Sequence, residues 1–319
     1  MQLPENRYRF NAKRESKLSL KKILPFILIA VLAGAGIYLT VTGKVSITRI
    51  GSETASSVDE DVDIAALWER KDYSRINEIC EEKLAENPLQ PEYLALNGFA
   101  YFYRGTSLYT LEDQIPLYDL AVINLRKALI AEAPTNEGQI HYVLGKTYYH
   151  KGRFYTDLAI QHLEKSLELG YRGADSYRYL GLAYSEMGDY ERGVEQFLAA
   201  SEEESDSLLY MTIGQTYFKM KKMDKALDFL MRAVHSTGEE PIEKKSRFLI
   251  GNIYIEMGEL QKAKDQYEKI LSIDPDSADA HYYLGEIYDK MGEKVKARAE
   301  WRKVLNIDPS HYGALLKLY

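Results

Sequence analysis

The chain has 319 residues, 45% of them hydrophobic, which suits a folded protein of one or two domains or a repeat array. Its one cysteine, Cys80, excludes an intramolecular disulfide bond and a cysteine-based zinc site. The net charge of −7 is uneven: residues 1–50 carry +7 and the remaining residues sum to −14. An acidic body without a basic stripe argues against nucleic-acid binding.

The N-terminal region predicts a membrane anchor. Residues 1–22 form a basic segment that ends in two lysines, and residues 23–43, ILPFILIAVLAGAGIYLTVTG, contain no charged side chain. An apolar helix of ~20 residues matches the thickness of a bilayer core. Because positive flanks stay in the cytoplasm, we expect a single-pass inner-membrane protein with a cytoplasmic N-terminus. The rest of the chain would then lie on the periplasmic or another extracytoplasmic side.

A cleaved signal peptide is the alternative interpretation of the same segment. Ala33, Gly34 and Ala35 resemble a cleavage tripeptide, but the apolar run continues beyond them and residues 1–22 are long for a signal. We therefore favour the uncleaved anchor. The polar stretch of residues 44–63, which includes SETASSVDEDVD, predicts a flexible acidic linker.

A glycine-based pattern repeats along the rest of the chain. Each first glycine is followed three positions later by tyrosine and seven positions later by a second glycine, except that Lys221 replaces one second glycine. Successive first glycines are separated by 33 to 47 residues. The first glycines are Gly98, Gly145, Gly181, Gly214, Gly251 and Gly285.

A second segment follows each glycine segment and carries a small, a bulky and an apolar residue, as in Ala263, Tyr267 and Ile270. These spacings of four and three place the residues on one face of a helix. The first glycine and the small residue let two helices approach closely, and the second glycine suits the turn between them. Each copy therefore predicts a helical hairpin, and stacked hairpins share a core that one hairpin alone cannot bury.

The pattern L-G-x-x-Y…G…A…F/Y…A…P, with its period of about 34 residues, resembles the tetratricopeptide repeat. The resemblance covers six copies in residues 92–311, and a weaker seventh copy precedes them in residues 64–88. It implies an all-α fold: a right-handed α-solenoid of helix-turn-helix repeats over residues 64–319, preceded by one transmembrane helix and closed by a short C-terminal cap. Extra residues between Gly105 and Ala121 predict a longer loop or an extended helix.

Motifs of catalysis and metal binding are absent from the sequence. It contains no phosphate loop, no G-x-S-x-G and no H-E-x-x-H. The six histidines do not pair with acids at metal-ligand spacing, and the resemblance implies that His141 and His281 pack between helices. We therefore expect a protein that is not an enzyme, with no cofactor, metal site or small-molecule substrate. The acidic run of residues 201–205 predicts a solvated helix end.

The resemblance also implies that the first helices line a concave groove. Aromatic and apolar side chains dominate its expected exposed positions, which is typical of a surface that binds a protein or peptide. The alternative is that neighbouring helices or the inserted segment cover many of these side chains. The candidate groove residues are Phe99, Phe102, Tyr103, Tyr142, Lys146, Tyr149, Arg178, Met211, Gln215, Phe218, Phe248, Asn252 and Ile255.

These features predict a membrane-anchored scaffold or adaptor that binds a client protein or peptide in the groove. An apolar helix or an extended hydrophobic peptide fits this groove better than a peptide carboxylate. Tetratricopeptide proteins that read chaperone tails hold that carboxylate with a Lys and Asn clamp, and here Asn252 is an isolated match. The alternative function is a structural subunit of a larger membrane-associated assembly for envelope biogenesis, translocation or a motor, binding through its convex face and edges.

Overall fold

A computed structural model describes residues 63–131, 136–204 and 206–319, and every regular element within these ranges is helical. One turn of 3₁₀ helix, Arg153–Tyr155, directly precedes α6. The α-helices are α1 (Ile64–Glu69), α2 (Tyr73–Glu86), α3 (Pro91–Thr106), α4 (Leu111–Ile130), α5 (Glu137–His150), α6 (Thr156–Glu168), α7 (Ser176–Met187), α8 (Tyr190–Glu203), α9 (Ser207–Lys219), α10 (Met223–Ser236), α11 (Glu240–Glu256), α12 (Leu260–Ile273), α13 (Ala278–Lys290), α14 (Lys294–Ile307) and α15 (Tyr312–Leu318).

The chain divides into two units at Glu69 and Arg70, and the described part of the first unit is residues 63–69. In the first unit, α1 is capped by the Asp63 carboxylate, which accepts a hydrogen bond from the Ala66 amide at 3.0 Å. The expected basic segment (1–22), the membrane anchor (23–43) and all of the linker (44–63) except Asp63 lie outside the described residues. Within the described ranges, no helix is both long enough and apolar enough to cross a bilayer.

The second unit is a stack of helical hairpins. Each first helix packs against the second helix that follows it: α3 with α4, α5 with α6, α7 with α8, α9 with α10, α11 with α12, and α13 with α14. Each second helix also packs against the first helix of the next hairpin, from α2 on α3 to α14 on α15. This arrangement confirms the predicted all-helical repeat stack.

The first glycines allow the close approach that the sequence predicts. A Cβ atom added at Gly145 would lie 2.6 Å from Cγ of Leu163, and one added at Gly251 would lie 2.7 Å from Cε2 of Tyr267. Leu163 and Tyr267 are both fully buried on the second helices of these hairpins. Glycine is therefore required there because the bulky residue of the second helix occupies the space of its side chain.

The second glycines turn the chain in most hairpins. Gly188, Gly258 and Gly292 have φ angles of 86°, 77° and 83°, the left-handed conformation that ends a helix at low cost when the residue is glycine. Lys221 adopts the same conformation, with φ 59°. The pattern therefore holds at this position despite the change of residue.

Gly105 does not have the turn role that the sequence predicts. It lies inside α3, where an added Cβ would be 2.6 Å from Cε1 of the buried Tyr118. The chain turns only after Thr106, because the inserted residues lengthen the second helix of this hairpin. That helix, α4, has 20 residues, whereas the other second helices have 13 or 14. The insertion is thus an extended helix, and Thr110 caps it by accepting a hydrogen bond from the Asp113 amide at 3.2 Å.

Candidate functional site

The candidate site is the inner face of the stack, which we define as the side formed by the first helices α3, α5, α7, α9, α11 and α13. Successive first helices contact one another directly between α3 and α5, α5 and α7, and α9 and α11. These contacts leave less of each first helix exposed than the sequence pattern alone indicates.

Five of the thirteen candidate groove residues are not exposed, contrary to expectation. Phe102 is 1% exposed because its ring lies 6.2 Å from the Tyr118 ring on α4 and 5.9 Å from the His150 ring on α5. Met211 is 4% exposed and belongs to a core cluster shared by four hairpin helices. The buried candidates are Phe99, Phe102, Tyr142, Lys146 and Met211.

The other eight candidates are partly exposed. They extend from α3 to α11, so that they are distributed over five consecutive hairpins. Four of them carry aromatic rings, the groups that contribute most to protein interfaces. The partly exposed candidates are Tyr103, Tyr149, Arg178, Gln215, Phe218, Phe248, Asn252 and Ile255.

Lys146 on α5 is a buried cation surrounded by aromatic rings. Its Nζ atom lies 4.9 Å from the centre of the Tyr142 ring, 4.8 Å from that of Tyr179 and 5.6 Å from that of Phe102. It also donates to the Asp175 carboxylate at 2.8 Å and to the Tyr142 hydroxyl at 3.1 Å. A buried charge needs such compensation, and here rings and a carboxylate both supply it.

Asp175 ties two hairpins together at this point. One of its carboxylate oxygens faces Lys146, and the other accepts a hydrogen bond from the Tyr142 hydroxyl. Asp175 is the N-cap residue of α7, yet its side chain makes no capping hydrogen bond because it is engaged with α5. Burial, together with the Asp175 charge, raises the pKa of Tyr142 well above its usual value, so this phenol stays protonated and remains a donor.

A histidine extends the same cluster. His150 Nε2 lies 2.8 Å from the Tyr179 hydroxyl. Burial, followed by the nearby Lys146 charge, lowers the pKa of His150 to about 4, and burial raises the pKa of Tyr179 to about 12. At neutral pH the imidazole is therefore uncharged and the Tyr179 hydroxyl is protonated, and one hydrogen bond joins the two groups. The Tyr149 ring packs edge-on against Tyr179 at 5.4 Å and lies at the partly exposed edge of this cluster.

A second ion pair of the same kind joins the next two hairpins. Arg178 on α7 lies 2.6 Å from Oδ2 of Asp206, the N-cap residue of α9. The other Asp206 oxygen accepts a hydrogen bond from the Leu209 amide at 2.6 Å. In both pairs, a basic side chain of one first helix reaches the aspartate that precedes the next first helix. Arg178 is thus partly committed to the fold rather than fully available to a ligand.

Towards the C-terminus, two candidates contribute to the packing of the hairpin formed by α11 and α12. Asn252 accepts a hydrogen bond from the Tyr267 hydroxyl at 2.7 Å. This contact accounts for an asparagine at this position without the rest of a carboxylate-binding Lys and Asn clamp. The Phe248 ring packs edge-on against Tyr267 at 5.7 Å and against Tyr283 at 5.0 Å. Asn252 therefore has a structural role, and Phe248 is partly exposed.

Sequence reasoning missed Asp175, Tyr179 and Asp206 as parts of the inner face. Asp175 and Asp206 directly precede a first helix, and Tyr179 lies near the start of α7. None of the three occupies an expected groove position. Their partners are 28 or 29 residues away in the sequence. The one available signal was an aspartate directly before each of two first helices, which is usually interpreted as a helix cap.

The histidines between helices pack as the repeat position indicates. His281 Nδ1 lies 2.6 Å from Oε2 of Glu300, and its Nε2 lies 3.1 Å from the Pro275 carbonyl oxygen. His141 Nδ1 lies 2.8 Å from Nδ1 of His162 on the facing helix. In the part of the chain that the structure describes, no three His, Cys, Asp or Glu side chains are grouped so that they could hold a metal ion.

Three family models match the C-terminal part of the chain. Models described as the tetratricopeptide repeat match residues 208–235 and 278–311, and a model described as the TPR repeat matches residues 251–292. Residues 208–235 and 251–311 therefore carry tetratricopeptide repeats. This fold is typical of non-enzymatic proteins that mediate protein–protein interactions.

Two curated relatives match most of the chain. The chain is 24% identical over 241 residues to the BBSome complex member BBS4 homolog of Drosophila melanogaster. This alignment covers 72% of this chain and 46% of the relative. The chain is also 24% identical over 224 residues to anaphase-promoting complex subunit 3 of Schizosaccharomyces pombe, which covers 70% of this chain and 31% of the relative. The chain thus spans less than half the length of either relative.

Solved tetratricopeptide structures share the fold. The C-terminal part of a TPR repeat-containing protein from Cytophaga hutchinsonii aligns with a TM-score of 0.64 at 18% identity, covering 79% of this chain and 97% of that one. YrrB, described as a TPR protein with an unusual peptide-binding site, aligns with a TM-score of 0.50 at 25% identity, covering 60% of this chain and 96% of that one.

Proposed function

We propose that this protein is a membrane-anchored, non-enzymatic scaffold that binds a client protein or peptide on its inner face, on the extracytoplasmic side of the membrane. The observation that carries the proposal is a set of partly exposed aromatic side chains on four of the first helices, α3, α5, α9 and α11, namely Tyr103, Tyr149, Phe218 and Phe248. Apolar rings held partly exposed by a rigid stack are well suited to bury against a partner. The description of YrrB as a peptide-binding protein supports the same use of this fold.

The client is an apolar helix or an extended hydrophobic peptide. The inner face offers aromatic edges, whereas its basic side chains Lys146 and Arg178 already pair with aspartates. A peptide that depends on a carboxylate would have to compete with Asp175 and Asp206 for those cations. An apolar ligand meets no such competition, so it fits the observed contacts better.

A paired substitution on the inner face tests client binding. Tyr149→Ala combined with Phe218→Ala removes two partly exposed rings without emptying the core, unlike Phe102→Ala, whose buried ring would cost about 3–5 kcal/mol of folding stability. Cross-linking in cells followed by purification and mass spectrometry should show loss of one discrete client. The matched control is Tyr109→Ala with Phe154→Ala, two rings that are 85% and 97% exposed outside the first helices.

The side of the membrane on which the repeat stack lies is tested in a separate experiment. In intact spheroplasts, added protease should digest the repeat stack if residues 23–43 anchor it on the extracytoplasmic side. Protection of the stack until the membrane is lysed would contradict this orientation while leaving the inner-face proposal intact. The predicted orientation rests on the excess of Lys and Arg in residues 1–22.

The second candidate function is that of a structural subunit in a larger membrane-associated assembly. Two observations favour it: both curated relatives are named as members of multi-subunit complexes, and α4 exposes apolar side chains on the side opposite its buried face. Unchanged partners after the Tyr149 and Phe218 substitutions, with loss of partners after Ile123→Ser on the exposed side of α4, would support this function over client binding.

A further inference from the structure

The outward face of α4 carries an exposed apolar stripe. Leu120, Ile123 and Ile130 are 38%, 49% and 82% exposed, and the exposed Lys127 completes the row. Their spacing of three, four and three residues is that of the a and d positions in a heptad, so the four side chains form one seam along the helix. Single exposed apolar residues are ordinary, but a periodic row of them is the pattern of a helix-packing face.

Corresponding positions of other second helices show how unusual this stripe is. Aligned on the buried alanine of each helix, the α10 positions are Lys225, Asp228, Arg232 and His235, and the α12 positions are Lys262, Asp265, Lys269 and Ser272. All eight side chains are exposed and polar. Solvent therefore covers this register in α10 and α12, whereas α4 presents apolar groups there.

The stripe does not result from a shifted buried face. Tyr118, Ala121, Leu125 and Ala128 of α4 are each 0% exposed and pack into the stack in the normal register. They lie two positions away from the stripe, which on a helix is the opposite side. α4 is thus apolar on two opposite faces, and the stack buries one of them.

Charges around the stripe indicate what kind of partner it fits. Arg126 and Lys127 are both exposed on the C-terminal half of α4. Of the acids that the structure describes on α4, Asp119 is the closest to Lys127 in sequence, and it is engaged by the Lys151 ammonium from the next hairpin. Lys127 thus lies within the apolar seam and Arg126 lies beside it, although the chain beyond residue 50 is strongly acidic. An acidic side chain facing Lys127 complements these charges.

Pairing of α4 with a second copy of α4 does not give Lys127 a counter-charge. In a parallel pair of α4 helices, Lys127 faces a second Lys127, and in a centred antiparallel pair it faces Ile123. Either arrangement leaves an ammonium group in the seam without a counter-charge. The complementary occupant is therefore a different helix.

We propose that the outward face of α4 binds an amphipathic helix of a partner protein that places an acidic side chain opposite Lys127. Ile123 and Leu120 supply the apolar contact, and Lys127 sets the register and the choice of partner. This surface is separate from the inner face, and it is tested without reference to client binding there.

Two synthetic helical peptides of about three heptads test the proposal, each with Ile and Leu in its seam. One carries a central Glu in the seam and its twin carries a central Lys. Fluorescence anisotropy with the full-length chain should show that the Glu peptide binds at least about tenfold more tightly than the Lys peptide. Ile123→Ser should abolish this binding, and Lys127→Glu should reverse the preference. Asp265→Ser and Lys269→Glu, the same positions on α12, are the matched controls and should change nothing.

Failure of the Glu peptide to bind would overturn the proposal, as would binding that survives Ile123→Ser. A preference that Lys127→Glu leaves unreversed would show that charge does not select the partner. Concentration-dependent dimers in sedimentation that disappear in Ile123→Ser would identify a second copy of the chain as the occupant instead. None of these results depends on Tyr149 or Phe218, so the inner-face proposal stands or falls independently.

Discussion

Lys146 on α5 and Asp175 at the start of α7 form an ion pair across two hairpins, with Nζ 2.8 Å from Oδ2. The lysine side chain is 9% exposed and the aspartate 35%. The pair fixes the spacing of two neighbouring first helices at the point where the aromatic cluster of the inner face begins. It also uses a helix-capping residue for contact between hairpins rather than for its own helix.

Removing the carboxylate should destabilise the stack. Asp175→Asn takes from Lys146 its anionic partner, and we expect a loss of about 2 kcal/mol in the free energy of unfolding, below the fully buried range because Asp175 is partly hydrated. Lys146→Met should cost less than about 1 kcal/mol, because its side chain still packs against the rings and Asp175 can be hydrated. Urea denaturation of the three proteins measures the difference.

An exposed ion pair provides the control for this comparison. Arg75 and Glu78 lie 2.7 Å apart on α2 with side chains 45% and 60% exposed. Glu78→Gln should change stability by less than about 0.5 kcal/mol. Equal losses from Asp175→Asn and Glu78→Gln would contradict a special role for the Lys146 pair.

Gly105 gives a second prediction, because it lies inside α3 rather than at a turn. Alanine favours a helix interior by about 1 kcal/mol over glycine, but the new Cβ would meet the fully buried Tyr118 ring. We expect the overlap to prevail, with Gly105→Ala destabilising the protein by about 1–2 kcal/mol in thermal or urea unfolding. Gly238→Ala, where nothing lies within 4 Å, should be neutral or slightly stabilising. A gain in stability from Gly105→Ala would mean that α3 and α4 are not in close contact there.

The buried histidines predict that stability falls as the pH is lowered. Burial, followed by the neighbouring His141 and Arg126, lowers the pKa of His162 to about 4 in the folded protein, whereas an unfolded histidine titrates near 6.5. Between these values the unfolded chain binds the proton and the folded chain does not. The stabilisation is therefore fully present above about pH 6.5 and is lost as the pH falls towards 4. At pH 5 the free energy of unfolding has fallen by about 2 kcal/mol for one histidine.

Substitution isolates this contribution from the protonation of the acids. His162→Asn should reduce the stability difference between pH 7 and pH 5 by about 2 kcal/mol in urea denaturation. His235→Asn, at an exposed position on α10, should leave that difference unchanged. Identical pH profiles for the wild type and His162→Asn would show that the His141–His162 contact is not buried in solution.

The hairpin stack could be predicted from the sequence because its determinants are local. Gly251, Tyr254 and Gly258 recur at fixed spacing, and the two glycines perform their tasks within one hairpin, at the close approach to Tyr267 and at the turn. Gly105 does not form the turn that the glycine pattern predicts, because the insertion that follows it moves the turn beyond Thr106. The glycine pattern carries no information about that shift. The exposure of Phe102 and Met211 was wrongly predicted for a similar reason: Phe102 is covered by Tyr118 on the lengthened α4 and by His150 of the next hairpin, and Met211 joins a core cluster shared with neighbouring hairpins.

The details of the inner face could not be predicted because they depend on contacts between hairpins. Lys146 meets Asp175, and Arg178 meets Asp206, across 28 or 29 residues, and each aspartate by itself resembles an ordinary helix cap. The stripe on α4 was present in the sequence. It went unnoticed because only the described helix shows that Leu120, Ile123 and Ile130 share one exposed side.

Site-specific photo-cross-linking tests the central claim most directly. A photoreactive phenylalanine analogue is placed at Tyr149 and Phe218 on the inner face, and at Phe154, which is 97% exposed outside the first helices. If the inner face holds a client, the first two positions give the same discrete adduct in cells and Phe154 does not. Adducts from Phe154 alone, or none from Tyr149 and Phe218, would contradict client binding on the inner face.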